Sequence, residues 1–158
     1  MDVGEYLNRL ERNLMIGSAR WVTEFVESFR ELDVAGVRFA MLLRGSMRTK
    51  GLLLSRLFSY LAMPNYRTSC LVRCGGADER SLRATLRATG QHMRDHNVDW
   101  AWVVLAHEGP FDPGIVRAVE KMNAREVGVA LVDVSSRSVL TDRSLVGRKM
   151  RDHVRCWR

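Results

Sequence analysis

Arg80, Arg83, Arg87 and Arg94 stand three, four and seven residues apart, a spacing that stacks side chains along one face of an α-helix. Gln91 falls beside them. At a rise of about 1.5 Å per residue, the helix holds these guanidiniums in a line about 20 Å long, which spans several backbone phosphates of a nucleic acid. Guanidinium grips phosphate oxygens as a two-pronged fork, a geometry that ammonium lacks. Lysine occurs only at positions 50, 121 and 149, so arginine supplies most of the positive charge. Arg44, Arg48 and Lys50 form a second basic patch around the turn-like segment GSMRTKG. Arg143, Arg148, Lys149, Arg151, Arg155 and Arg158 form a third, diluted by Asp142 and Asp152, which is expected to be a solvated terminal helix. The residues assigned to nucleic-acid binding are Arg80, Arg83, Arg87, Gln91, Arg94, Arg48 and Lys50.

Other chemistry has weaker support. His107 and Glu108, in the segment HEGPFD, are of the types that do acid/base work, but no HExxH pattern follows them and an ordinary polar loop is expected. The glycines and lysine of GSMRTKG fall in the wrong order for a phosphate loop, and no GxSxG elbow accompanies Ser135, Ser136 or Ser138. Asp133 is expected to mark where an apolar strand emerges into water. Cys70, Cys74 and Cys156 are expected to be reduced and mostly buried, since the first two would lie roughly 13 Å apart along one strand and cannot bridge. Neither these thiols nor the histidines at 92, 96, 107 and 153 have zinc-site spacing. No catalytic residue, metal ligand or cofactor is assigned.

A net charge of +7 favours a polyanionic partner. No apolar run approaches the roughly 20 residues needed to span a bilayer, the segment LLLSRLFSYLAM being broken by Arg56. The N-terminal MDVGEYLNRLERNL lacks the basic and apolar blocks of a signal peptide, so a cytoplasmic location is expected.

The elements that must position these residues follow from periodicity. Val3, Leu7, Leu10 and Leu14 predict a first helix; Trp21, Val22, Phe25, Val26, Phe29 and Leu32 predict a second over 18–33. Val37 to Leu43 is a short apolar run, ambiguous by period and assigned to a helix, and Leu52 to Met63 predicts another that stops before Pro64. From Tyr66 onward, strands and helices alternate: YRTSCLVRC, a helix capped by Asp78 from Glu79 to about Asn97, DWAWVVLA, a helix started by Asp112 and Pro113 and ending near Asn123, and VGVALVDV. A last helix over 142–157 would bury Val146, Met150, Val154 and Trp157. The expected architecture is a single α/β domain over 1–158. A helical N-terminal part (1–63) with a helical pair precedes an α/β core (66–140), a small mixed or parallel sheet of three or more strands with flanking helices, and a C-terminal helix (141–158) follows.

From Arg67 to about Leu140 this order resembles the C-terminal half of the restriction endonuclease-like, PD-(D/E)xK, superfamily. The parallel runs through RTSCLVRC, the helix carrying Gln91 in LRATGQHMRDH, DWAWVVLA, DPGIVRAVEKMN and VGVALVDV. The resemblance implies a carboxylate and a lysine on the first strand, holding magnesium for phosphodiester cleavage, and often a glutamine on the helix. Here that strand reads Cys70, Leu71, Val72, Arg73, Cys74, with no carboxylate and no convincing PD strand before it. The implied member keeps binding geometry without the metal site.

Three functions follow as expectations. The first is a non-catalytic domain contacting nucleic-acid phosphates, DNA or RNA, without reading bases. The second is an active metal-dependent nuclease using Glu108, Asp112 or Asp133. The third is an assembly or regulatory module in which Val3, Leu7, Leu10 and Leu14 pack on a partner or on a second copy, making a homo-oligomer.

Overall fold

A computed structural model describes residues 1–17, 23–47 and 66–157. Its centre is set by β4 (Trp100–His107), whose residues Ala101 to Ala106 all have 0% exposure. A strand apolar on both faces is stable only inside a sheet covered on both sides. Its neighbours β3 (Tyr66–Cys74) and β5 (Val127–Asp133) both run parallel to it. Outside β3 lie β2 (Val37–Met47) and then β1 (Glu24–Val34), each antiparallel to its neighbour, and β6 (Ser138–Thr141) returns antiparallel beside β5. The six described strands form one mixed sheet in sequence order.

Two helices among the described residues cover each face. On one lie α1 (Val3–Ile16) and the short α4 (Leu145–Met150), packed with Tyr6, Leu10, Leu14, Val146 and Met150 against Cys70, Val72, Trp102, Val104 and Ala130. On the other lie α2 (Glu79–His96) and α3 (Pro113–Lys121), where Leu82, Ile115 and Val119 meet Val103, Leu105, Val129 and Leu131. Gly128 permits the closest of these approaches. A Cβ there would fall 2.6 Å from the Gly147 nitrogen, so β5 can carry no larger side chain where α4 crosses it.

The α/β class and the elements from Tyr66 to Asp133 agree with the periodicities; strand β6 was not expected, and the N-terminal part differs. Of the expected helical pair α1 forms, whereas residues 24–33 of the second lie in strand β1 and 18–22 lie outside the described residues. Phe25, Phe29 and Leu32 have helical spacing because the strand is irregular: its register shifts between Phe25 and Glu27, and Glu31 takes φ 53°. These irregularities break the two-residue alternation that would have marked a strand. Val37 to Leu43 is likewise strand, joined to β1 by a two-residue turn in which Ala35 and Gly36 have φ 48° and 77°. Paired left-handed residues of this kind match the twist of a hairpin. Gly45 and Ser46, expected in a basic turn, continue β2; the helix expected over 52–63 lies outside the described residues. At the C-terminus only 145–150 is helical, with Ser144 as its cap, although Val146, Met150 and Val154 are buried as expected and Trp157 is half-buried.

The apolar stripe of α1 serves this core. Leu7, Leu10 and Leu14 are buried against the sheet and the Tyr6 hydroxyl donates to the Val154 carbonyl at 3.0 Å, so the stripe is not free to dock on a partner or a second copy. Burial raises the Tyr6 pKa well above its ordinary value. We expect Leu10→Ala to destabilise the chain by about 3 kcal/mol, measured by denaturant unfolding, because a fully buried leucine leaves a cavity. A loss under about 0.5 kcal/mol would mean that α1 does not pack here.

Candidate nucleic-acid interface

The arginine stripe lies on α2, and its orientation is fixed from beneath. Leu82 and Ala88 contribute apolar contact, but the rest of the buried face is polar: Thr85, Thr89 and His92 are each at most 2% exposed. Leu86 and Met93 are only half-buried. The Thr85 and Thr89 hydroxyls donate to the carbonyls of Ser81 and Thr85, one turn earlier. From β3, Arg73 donates to the Ser81 carbonyl (3.1 Å) and to the Thr85 hydroxyl (2.9 Å), and Ser69 Oγ lies 3.1 Å from His92 Nε2. Buried directional bonds of this kind tolerate little rotation of the helix. Asp78 caps its first turn through the Ser81 amide, and Asn97 ends it at φ 50°, in the left-handed conformation that closes helices.

With that face locked, Arg80, Arg83, Arg87 and Arg94 are all exposed on the opposite side. Their charges are not equally available. Arg83 pairs with Glu79 at 3.4 Å, both well exposed, a contact of little energetic weight. Arg94 donates to the Gln91 side chain (2.8 Å), which donates to Asp95 (2.7 Å), so Gln91 is an organiser of Arg94. Arg80 and Arg87 have no carboxylate within ion-pair distance among the described residues. Arg48 and Lys50 lie outside the described residues. In the terminal basic cluster Arg143, Arg148, Lys149 and Arg151 are exposed, as expected of a solvated segment, although most of that segment is not helical.

The stripe ends above a corner that the sequence reading missed. Arg44 and Ser46 of β2, Arg67 and Ser69 of β3, Glu27 of β1 and His96 at the end of α2 surround a cavity of about 420 Å³. The Arg44 guanidinium lies 5.3 Å from the centre of the Phe29 ring. Arg67 donates to the His96 carbonyl (3.3 Å), and the His96 ring lies tilted by 40° against that of His92, centroids 4.6 Å apart. The only available signal was residue type: Arg44, Arg67 and Ser69 are polar side chains on strands otherwise rich in apolar ones.

Two of the three carboxylates considered for a nuclease, Glu108 and Asp133, have structural work. Glu108 accepts the Val3 amide at the start of α1 (2.9 Å). Asp133 gathers the amides of Gly109, Ser135 and Ser136 and the Ser136 hydroxyl, fixing the turn before β6. Burial works against its charge, but these hydrogen bonds outweigh that and hold its carboxyl below the usual range. Asp112 precedes α3 with no side-chain capping bond, and His107 bonds the nearby Gly109 carbonyl (3.2 Å). No cluster of three or more His, Cys, Asp or Glu that could hold a metal ion occurs among the described residues. All three cysteines are free: Cys70 and Cys156 are buried and Cys74 partly so, and burial pushes the thiols of Cys74 and Cys156 up to about 11 and about 12.

The class these features define is an α/β protein with a mixed six-stranded sheet between helical layers, a basic outer helix face and a basic corner cavity. Searches of protein-family models, curated proteins and solved structures find no match to this chain. No helix among the described residues is long and apolar enough to cross a membrane.

His92 supplies a test of the buried seam. Burial foremost, then His96 and Arg44, push its pKa down to about 4, so it folds as neutral imidazole. The unfolded chain protonates near about 6.5, so between there and about 4 it binds more protons than the native state. Stability is therefore complete above the upper value and falls as pH drops through this window. His153, also lowered by burial, acts in the same direction. We expect His92→Gln to flatten the dependence of melting temperature on pH across this range. An unchanged slope would show that the native pKa of His92 is ordinary.

Proposed function

We propose that this chain binds nucleic acid through phosphate contacts made by the outer face of α2, without catalysis and without reading bases. The observation that carries this reading is the alignment of Arg80, Arg83, Arg87 and Arg94 on one exposed face, with Arg80 and Arg87 unpaired among the described residues. Guanidiniums held on a rigid helix recover more of their charge-assisted bonding than mobile ones, because less side-chain freedom remains to be lost. A net charge of +7 adds long-range attraction for a polyanion of either kind, DNA or RNA. Gln91 acts here by holding Arg94 toward the same surface.

The likeness of residues 67–140 to the restriction endonuclease-like superfamily supports the same reading. The order it requires is β3, α2, β4, α3, β5, and β3 carries Cys70 to Cys74 where that superfamily carries its metal-binding carboxylate. On this account the chain is a member that retained the binding scaffold.

Fluorescence anisotropy with labelled single- and double-stranded oligonucleotides tests the proposal. We expect dissociation constants in the micromolar range that weaken steeply between about 50 and about 200 mM salt. Replacing Arg80 and Arg87 together by glutamine should lower the slope of log affinity against log salt by about two. Binding indifferent to salt, or a double variant with an unaltered slope, would overturn the assignment of α2.

A further inference from the structure

The corner cavity between β2, β3 and the end of α2 has a composition of its own. It is lined by two guanidiniums, Arg44 and Arg67, and the His96 imidazole, against one carboxylate, Glu27. Ser46, Thr68 and Ser69 add hydroxyls or backbone polar groups, and Val26 and Val98 an apolar margin. The volume, about 420 Å³, is within the range of small-molecule sites and exceeds what a lone inorganic anion fills.

Arg44 gives this cavity a direction. It belongs to β2 opposite Ser69 of β3 and Glu27 of β1, so it rises from the sheet on the face that α2 covers. Its Nε is buried and has no hydrogen-bond partner among the described residues, and Glu27, beside it in register, makes no ion pair with it. A buried donor on a cation without an acceptor is costly, and native proteins rarely keep one that no bound group satisfies. Arg67 is anchored to the His96 carbonyl, which places a second guanidinium at the same wall. The neutral His92 beneath, bonded to Ser69, adds no further charge to the floor.

We propose that this cavity binds a sugar phosphate monoester, with Arg44 and Arg67 taking the phosphate and Glu27 accepting a sugar hydroxyl. A monoester carries close to two negative charges near neutrality and three acceptor oxygens, which matches two guanidinium forks approaching from adjacent strands. The carboxylate at the rim fits a ligand bearing hydroxyl donors as well as an anion. The site is separate from the α2 stripe, and its ligand is either a free mononucleotide or the phosphorylated end of a strand.

Isothermal titration of the full chain with a ribonucleoside 5′-monophosphate, the corresponding nucleoside, and a short oligonucleotide with and without a 5′-phosphate tests this. The monophosphate should bind while the nucleoside does not, and Arg44→Gln should weaken it at least about tenfold. Arg67→Gln should do the same without disturbing the buried Arg44, so the outcome stands even if the Arg44 variant is misfolded. The Arg80→Gln, Arg87→Gln double variant should bind the monophosphate as wild type does, which separates this site from the polyanion surface. A preference of about tenfold for the 5′-phosphorylated strand, lost in Arg67→Gln, assigns a strand end as the ligand. Equal binding of both strands, with the free monophosphate retained, assigns the mononucleotide. Absence of binding by every phosphorylated probe, or binding that both variants leave intact, overturns the proposal.

Discussion

The sheet depends on a strand that cannot face water on either side. Ala101 to Ala106 of β4 are buried above and below, and this requires helices on both faces. One of those layers is α2, whose inner surface is committed to the sheet by the packing of Leu82 on β4 and β5, by Ala88, and by the bonds that Arg73 and Ser69 of β3 make with Thr85 and His92. Once that surface is committed, the opposite one faces solvent by geometry, and the arginines stand there because the core leaves them nowhere else. The basic surface is thus a consequence of how the centre of the sheet is covered.

Charge on that surface is graded. Glu79 and Asp95 at the two ends of α2 draw on Arg83 and, through Gln91, on Arg94, while among the described residues no carboxylate pairs with Arg87 or Arg80 in the middle and at the start of the stripe. Elsewhere the chain spends its carboxylates on architecture. Glu108 ties the end of β4 to the start of α1, and Asp133 folds the turn from β5 to β6 around a single side chain. These are loop positions of the kind that often carry chemistry in α/β proteins, occupied here by hydrogen bonds that stabilise the fold.

How much of this was legible in the sequence depended on the regularity of each element. The alternation of strand and helix after Tyr66 was clear because DWAWVVLA and VGVALVDV are uninterrupted apolar runs of strand length between well-capped helices. The N-terminal hairpin was not. The register shift after Phe25 and the left-handed Glu31 spaced its apolar residues like those of a helix, and its turn uses Ala35 where an Asn or Asp before Gly36 would have signalled a hairpin. At the site, the arginine stripe was visible because helical spacing is a local property. The corner cavity was not, because Glu27, Arg44, Arg67 and His96 come from four separate elements and meet only through strand register.

The same face that holds α1 also joins distant parts of the chain. Tyr6 bonds the Val154 carbonyl and Asn13 the His153 carbonyl, so the first helix is anchored to a segment about 140 positions later. Contacts of such separation close a long loop and reward it only after the intervening strands have found their register. Folding of this layer therefore waits on the segment around His153 and Val154. On a ribosome, α1 emerges well before His153 and Val154 and stays without this clasp until they follow.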